Sequence, residues 1–121
     1  MKLMFDSHLD LAWNALSWNR DLTESVGQIR RRETGMSQRA RRHVTTSLPE
    51  LRRAKVGVCL GTLLARTKRH VCPPAGHLRT DLDHGTQSMA YGIAQGQLAY
   101  YRLLENQGEI RFIRDAKQLA A

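Results

Sequence analysis

The chain has 121 residues, the usual size of one domain, and 41% of them are hydrophobic, with a mean hydropathy of −0.48. No apolar run approaches the roughly 20 residues of a membrane-spanning helix, and Asp6 interrupts the stretch where a signal peptide needs its apolar segment; these features predict a cytoplasmic protein with no membrane contact. Nineteen Lys and Arg residues against eleven Asp and Glu give a net charge of +8, so any charged partner would be anionic.

Taken in chain order, Lys2 to Asp10 reads as a strand, with Leu3, Phe5 and Ser7 alternating against Met4, Asp6 and His8. It ends in His8-Leu9-Asp10. Residues two apart on a strand share a face, so the His8 imidazole and the Asp10 carboxylate fall side by side, with Cα atoms about 6–7 Å apart. One nitrogen and one oxygen donor on a stiff element make half of a site for a borderline metal such as zinc, which in catalytic centres takes three protein ligands and a water. On the spacing alone, a hydrogen-bonded His–Asp pair at a surface strand end is favoured over a metal site.

Leu11 to Asn14 leads into a polar, basic loop or helix reaching about His43, in which Thr23 to Ile29 can start a short helix and Gly35 stops a longer one. Ser47-Leu48-Pro49-Glu50 reads as a capped turn, with Ser47 as N-cap and Glu50 three residues on. Lys55 to Ala65 is a nearly continuous apolar run, the pattern of a parallel-sheet strand buried on both faces. Arg66 to Thr86 is loop-like, with Pro73, Pro74 and two glycines. Thr86 or Ser88 then caps a long helix to about Gln107, with Met89, Ile93, Gln97, Tyr100 or Tyr101, and Leu104 on one face and Gly108 as its stop. Ile110 to Ile113 is expected as a third strand, and Asp115 to Leu119 begins another helix.

This alternation is the opening of an α/β fold. A (β/α)₈ barrel needs about 250 residues, so residues 1–121 are expected to be a single partial domain, the N-terminal portion of a TIM-type barrel that is incomplete as given.

The motifs together carry a family resemblance. Phe5-Asp6-Ser7-His8-Leu9-Asp10-Leu11 resembles the first barrel strand of the renal (membrane) dipeptidase family of zinc metallopeptidases, which begins Asp-x-His-x-Asp. Ser47-Leu48-Pro49-Glu50-Leu51-Arg52, followed by Val56-Gly57-Val58, is similar to that family's Leu-Pro-x-Leu turn and glycine-bearing second strand. Gln87 to Leu104, with Ala94-Gln95-Gly96-Gln97-Leu98-Ala99-Tyr100-Tyr101, is similar to the following helix of bacterial members. The resemblance covers nearly the whole chain, in order.

It implies a (β/α)₈-barrel hydrolase with two zinc ions and a dipeptide substrate, bacterial relatives often accepting D-residues on the C-terminal side. It also implies that His8 and Asp10 ligate the more buried zinc. A homodimer is compatible with it. The family's bridging glutamate would follow the helix that begins near Asp115, and two further histidines would lie beyond. Glu105 and Glu109 sit at a helix end and before a short strand and do not replace that glutamate, so the stretch as given is expected to be inactive alone.

Other constellations point elsewhere. His70, Cys72, His77 and His84 are zinc-capable residue types without paired ligand spacing, and they read as loop residues over a barrel mouth. Cys59, inside an apolar strand, is expected to stay a protonated, inert thiol, and two cysteines suit free thiols better than a disulfide framework. Asp81 and Asp83 suit the N-terminus of the long helix, and Trp13 and Trp18 suit core packing over a pocket. The arginines at 30–32, 39, 41–42, 52–53 and 66–69, with Lys55, carry most of the charge. They lack interleaved aromatic platforms or an RNA-binding motif, so a solvated arginine-rich surface is favoured over nucleic-acid binding. A small basic nucleic-acid-binding module is the rival reading, and a truncated remnant without activity is a third.

Overall fold

The computed structural model describes residues 3–68 and 83–120. They form a mixed α/β structure: β1 (Met4–Leu9), α1 (Leu11–Trp18), α2 (Val26–Arg32), α3 (Leu48–Arg53), β2 (Val56–Gly61), β3 (Arg66–Thr67), β4 (Asp83–His84), α4 (Gln87–Asn106) and α5 (Ala116–Ala120). β1 pairs in parallel with β2, so the three intervening helices form the crossover, and β3 pairs in parallel with β4.

Local sequence explains most boundaries. α1 buries Leu11, Ala12, Ala15 and Trp18, one helical stripe, and stops at Asn19, whose φ of 50° is left-handed, a conformation asparagine tolerates. α2 opens with a reciprocal capping box, Ser25 Oγ accepting from the Gln28 N–H while Gln28 Oε1 accepts from the Ser25 N–H. At α3 the expected Ser47–Glu50 pairing is present in altered form. Ser47 Oγ donates to Glu50 Oε2, and that oxygen also accepts the first N–H of α2, from Val26 at 3.1 Å. Glu50 thereby joins two helix N-termini, where a negative charge is favoured. The Ser47 hydroxyl, against the opposing effect of burial, lowers the Glu50 carboxyl below its ordinary value, with help from Val26.

Thr86, of the two expected candidates, caps α4 by accepting from the Met89 N–H at 3.2 Å. The buried face of α4 differs from expectation. Ala90, Gln97, Tyr101 and Leu104 point inward, whereas Met89 and Ile93 are exposed. The four inward positions follow a spacing of seven, four and three residues, and the small side chain of Ala90 takes the place expected for Met89.

The core lies between α1, α4 and the crossover. Leu11, Ala12, Ala15, Leu22, Ile29, Val44, Leu48, Tyr101 and Leu104 make one buried cluster. The expectation that the second strand is buried on both faces fails: Leu60 is 55% exposed and Leu63 is exposed too, as are Leu3, Met4 and Phe5 beside them. The cause is architectural, because among the described residues the main sheet has only two strands, and α4 meets it at the strand ends. Ile110 to Ile113 is not a strand either. Ile110 and Phe112 pack against the core from an irregular segment, and the Phe112 N–H donates to Glu105 Oε1 at 2.9 Å instead of to a neighbouring strand. Within the stretch expected to be loop, Arg66–Thr67 and Asp83–His84 are short paired strands.

Candidate metal centre at the end of the first strand

The β1–β2 ladder is irregular in two places, between Met4 and Phe5 and between Asp6 and Leu9. The second irregularity spans Ser7 and His8. There the His8 N–H donates to the Asp6 carboxylate at 2.9 Å, and strand irregularities of this kind re-aim side chains. Asp10 has left the strand altogether and occupies the N-cap position of α1, with φ −83° and ψ 51°. Simple strand alternation therefore does not place the two side chains, yet they meet. His8 Nε2 lies 3.2 Å from Asp10 Oδ2, with the His8 side chain 67% exposed and that of Asp10 29% exposed.

The other Asp10 oxygen is held from the residue just past the neighbouring strand: Thr62 Oγ1 donates to Oδ1. Asp10 makes no side-chain cap to α1. That task falls to α4, where Tyr101 Oη accepts the N–H of fully buried Ala12 at 3.2 Å. The same oxygen lies 3.1 Å from the Thr62 carbonyl and 3.4 Å from that of Leu9. A phenol has one proton to give; the Leu9 carbonyl already accepts from the Thr62 N–H at 3.0 Å, so Thr62 is its natural acceptor. One turn earlier, Gln97 accepts the Leu64 N–H at 2.7 Å and donates to the Leu64 carbonyl at 2.8 Å. α4 thus clamps the C-terminal end of β2, and through Tyr101 the start of α1. Burial raises the Tyr101 pKa, only partly offset by its bond from Ala12. Gly61 admits the ring, since a Cβ there would stand 3.0 Å from Tyr101 Cζ.

No protein-family model, curated protein or solved structure matches this chain.

Among the described residues, no three His, Cys, Asp or Glu side chains form a group able to hold a metal ion; His8 and Asp10 are two donors. They meet as a hydrogen-bonded pair, the alternative the sequence left open. Zinc–nitrogen and zinc–oxygen bonds of about 2.0–2.2 Å in a tetrahedron put neighbouring donors roughly 3.3 Å apart, close to the 3.2 Å found.

The remaining candidates separate. Cys59 is half-buried, and burial, reinforced by the Asp6 charge, raises its thiol pKa, as expected for an inert thiol. Asp83 does not serve the N-terminus of α4; it pairs with Arg66 at 2.8 Å across the short sheet. Glu105 pairs with Arg114 and Glu109 with Arg52. His70, Cys72, His77 and Asp81 lie outside the described residues. Trp18 is buried, meets Trp13 edge-to-face at 6.4 Å, and lines a shallow groove of about 610 Å³ with Gln38, Arg39, Ala40 and His43. Neither His8 nor Asp10 borders that groove.

A buried ionic cluster escaped the sequence reading. Arg20 and Glu33 are 8% and 3% exposed and pair in bidentate fashion at 2.7 and 3.1 Å. Arg20 also donates to Asn14 and to the Ala40 carbonyl, while Arg41 and the Arg42 N–H donate to Glu33. Burial alone would raise the Glu33 pKa, but the Arg20, Arg42 and Arg41 hydrogen bonds outweigh it and hold the carboxyl at about 2. Both guanidiniums also sit over the Trp18 ring, 5.4 and 5.2 Å from its centre. Arg30 donates twice to the Val44 carbonyl. Arg41, read from sequence as solvated surface, is instead largely buried and ties the crossover together, whereas Arg30 stays exposed as expected while bonding Val44.

Proposed function

We propose that this chain supplies the first two zinc ligands, His8 Nε2 and Asp10 Oδ2, of a metal-dependent dipeptidase built as a (β/α)₈ barrel. The observation that carries the reading is the 3.2 Å approach of these two donors at the C-terminal end of a parallel strand, the end where barrel enzymes assemble their active sites. Its support for dipeptide chemistry comes from the resemblance of the Asp6-to-Leu11, Ser47-to-Arg52 and Gln87-to-Leu104 segments to the renal dipeptidase family.

Zinc held there would acidify a bound water and polarise the scissile carbonyl. The chain's own residues do the holding. His8 offers a nitrogen lone pair once its ring proton resides on Nδ1, and Asp10 offers one oxygen while Thr62 restrains the other. Exposure of His8 leaves its side of the pair open to further ligands and to substrate. The rival reading of a nucleic-acid surface draws less support, because the exposed Arg32, Arg52, Arg53 and Arg66 are already paired with Glu24, Glu109, Glu50 and Asp83.

The test is zinc-dependent hydrolysis of L,L- and L,D-dipeptides by the full-length gene product. Loss of turnover in His8→Ala and in Asp10→Ala supports the reading, and wild-type turnover in the metal-replete double variant refutes it.

A further inference from the structure

The carboxylate of Asp10 is held from just past a second strand that is itself pinned, and this goes beyond naming the ligand. Thr62 follows β2 directly. Its N–H donates to the Leu9 carbonyl at 3.0 Å, fixing it to the end of β1, and its own carbonyl lies 3.1 Å from Tyr101 Oη. Two residues on, Gln97 holds both backbone groups of Leu64. The backbone carrying the Thr62 hydroxyl is therefore fixed from the β1 side and from the α4 side. From that position Oγ1 donates to Asp10 Oδ1.

We propose that Thr62 is a positioning residue for metal binding: its hydroxyl occupies Asp10 Oδ1 and leaves Oδ2 as the single oxygen presented beside His8 Nε2. The inference rests on the metal reading of His8 and Asp10. Two physical consequences follow. A carboxylate with one oxygen engaged is biased toward one-oxygen ligation through the other. Its plane is fixed, so it does not lose rotamer freedom when a cation arrives. Partners of this kind change metal affinity by about 10- to 100-fold when removed.

The experiment is a zinc titration of the full chain in competition with a chromophoric chelator, on wild type, Asp10→Ala, Thr62→Val and Thr62→Ser, with far-UV circular dichroism on each. Thr62→Val keeps the side-chain shape and loses the hydroxyl; Thr62→Ser keeps the hydroxyl. The expected result is zinc binding by the wild type, its loss in Asp10→Ala, a Kd raised about 10-fold or more in Thr62→Val, and recovery toward wild type in Thr62→Ser. A purely packing role for Thr62 would give the opposite order of the two Thr62 variants. A folded Thr62→Val with wild-type Kd, beside an Asp10→Ala that has lost binding, overturns the positioning role alone. Wild-type affinity in Asp10→Ala overturns the metal reading and the inference with it. If Thr62→Val does not fold, Thr62→Ala against Thr62→Ser makes the same comparison of hydroxyl present and absent.

Discussion

Replacing Tyr101 with Phe removes one oxygen from the point where β1, β2, α1 and α4 meet, and its cost can be worked from the structure. The Ala12 N–H, on a residue with no solvent exposure, loses the acceptor that stands in for a missing N-cap. A buried donor stranded in this way costs about 1–3 kcal/mol. The Thr62 carbonyl loses its donor as well, adding roughly 1 kcal/mol. The ring itself stays, so no cavity larger than one oxygen forms. The expected loss is about 2–4 kcal/mol, a large share of the roughly 5–15 kcal/mol available to a domain. Urea denaturation followed by Trp fluorescence reads it directly, because both tryptophans lie on α1, whose N-terminus Tyr101 caps. Tyr91→Phe, on the exposed face of α4, is the control and should move stability by less than about 0.5 kcal/mol. A Tyr101→Phe protein as stable as that control would refute the view that Tyr101 caps α1.

Three further outcomes are expected. Because the Glu33 pKa is depressed from the ordinary 4.5 to about 2, its contribution is fully present above pH 4.5 and is lost as pH falls through 2; at roughly 1.4 kcal/mol per pH unit this amounts to about 3 kcal/mol, and urea midpoints measured from pH 6 to 2 should show the decline flattened in Glu33→Gln. Gly61→Ala places a methyl 3.0 Å from the Tyr101 ring, whose hydroxyl is tied to Ala12 and Thr62, and should lower stability by about 1–3 kcal/mol in a thermal melt. Cys59, its thiol pKa raised by burial and by Asp6, should react with iodoacetamide at pH 8 more slowly than free glutathione, as followed by peptide mass spectrometry of the Cys59 peptide.

The elements with strong local signals were legible in the sequence. The strand through Phe5, the Ser47 turn and the Thr86-capped α4 each announce themselves by periodicity or by a capping residue, and α4 lies within a residue or so of its expected ends. The meeting of His8 and Asp10 was legible too, although it arises from a ladder irregularity and an N-cap backbone rather than from regular alternation. What stayed hidden depends on long-range partners. Lys55 to Ala65 has the composition of a doubly covered strand, but composition does not state whether a covering layer is present. Ile110 to Phe112 has strand propensity, yet Glu105 captures its backbone N–H. Glu33 sits after three arginines and reads as a solvated charge until Arg20, 13 positions earlier, folds onto it. Thr62 gave no sequence signal of service to Asp10, nor Tyr101 of service to Ala12, because the contacts span 52 residues in one case and 89 in the other.

The most direct measurement is a zinc titration of the chain monitored by the His8 ring resonances in NMR spectra, on wild type and Asp10→Ala. The half-site account predicts a saturable shift of the His8 Cε1 proton in the wild type that disappears in Asp10→Ala, with the remaining His resonances far less affected. An identical His8 response in Asp10→Ala, or no response at millimolar zinc, would contradict the claim that these two side chains share a metal.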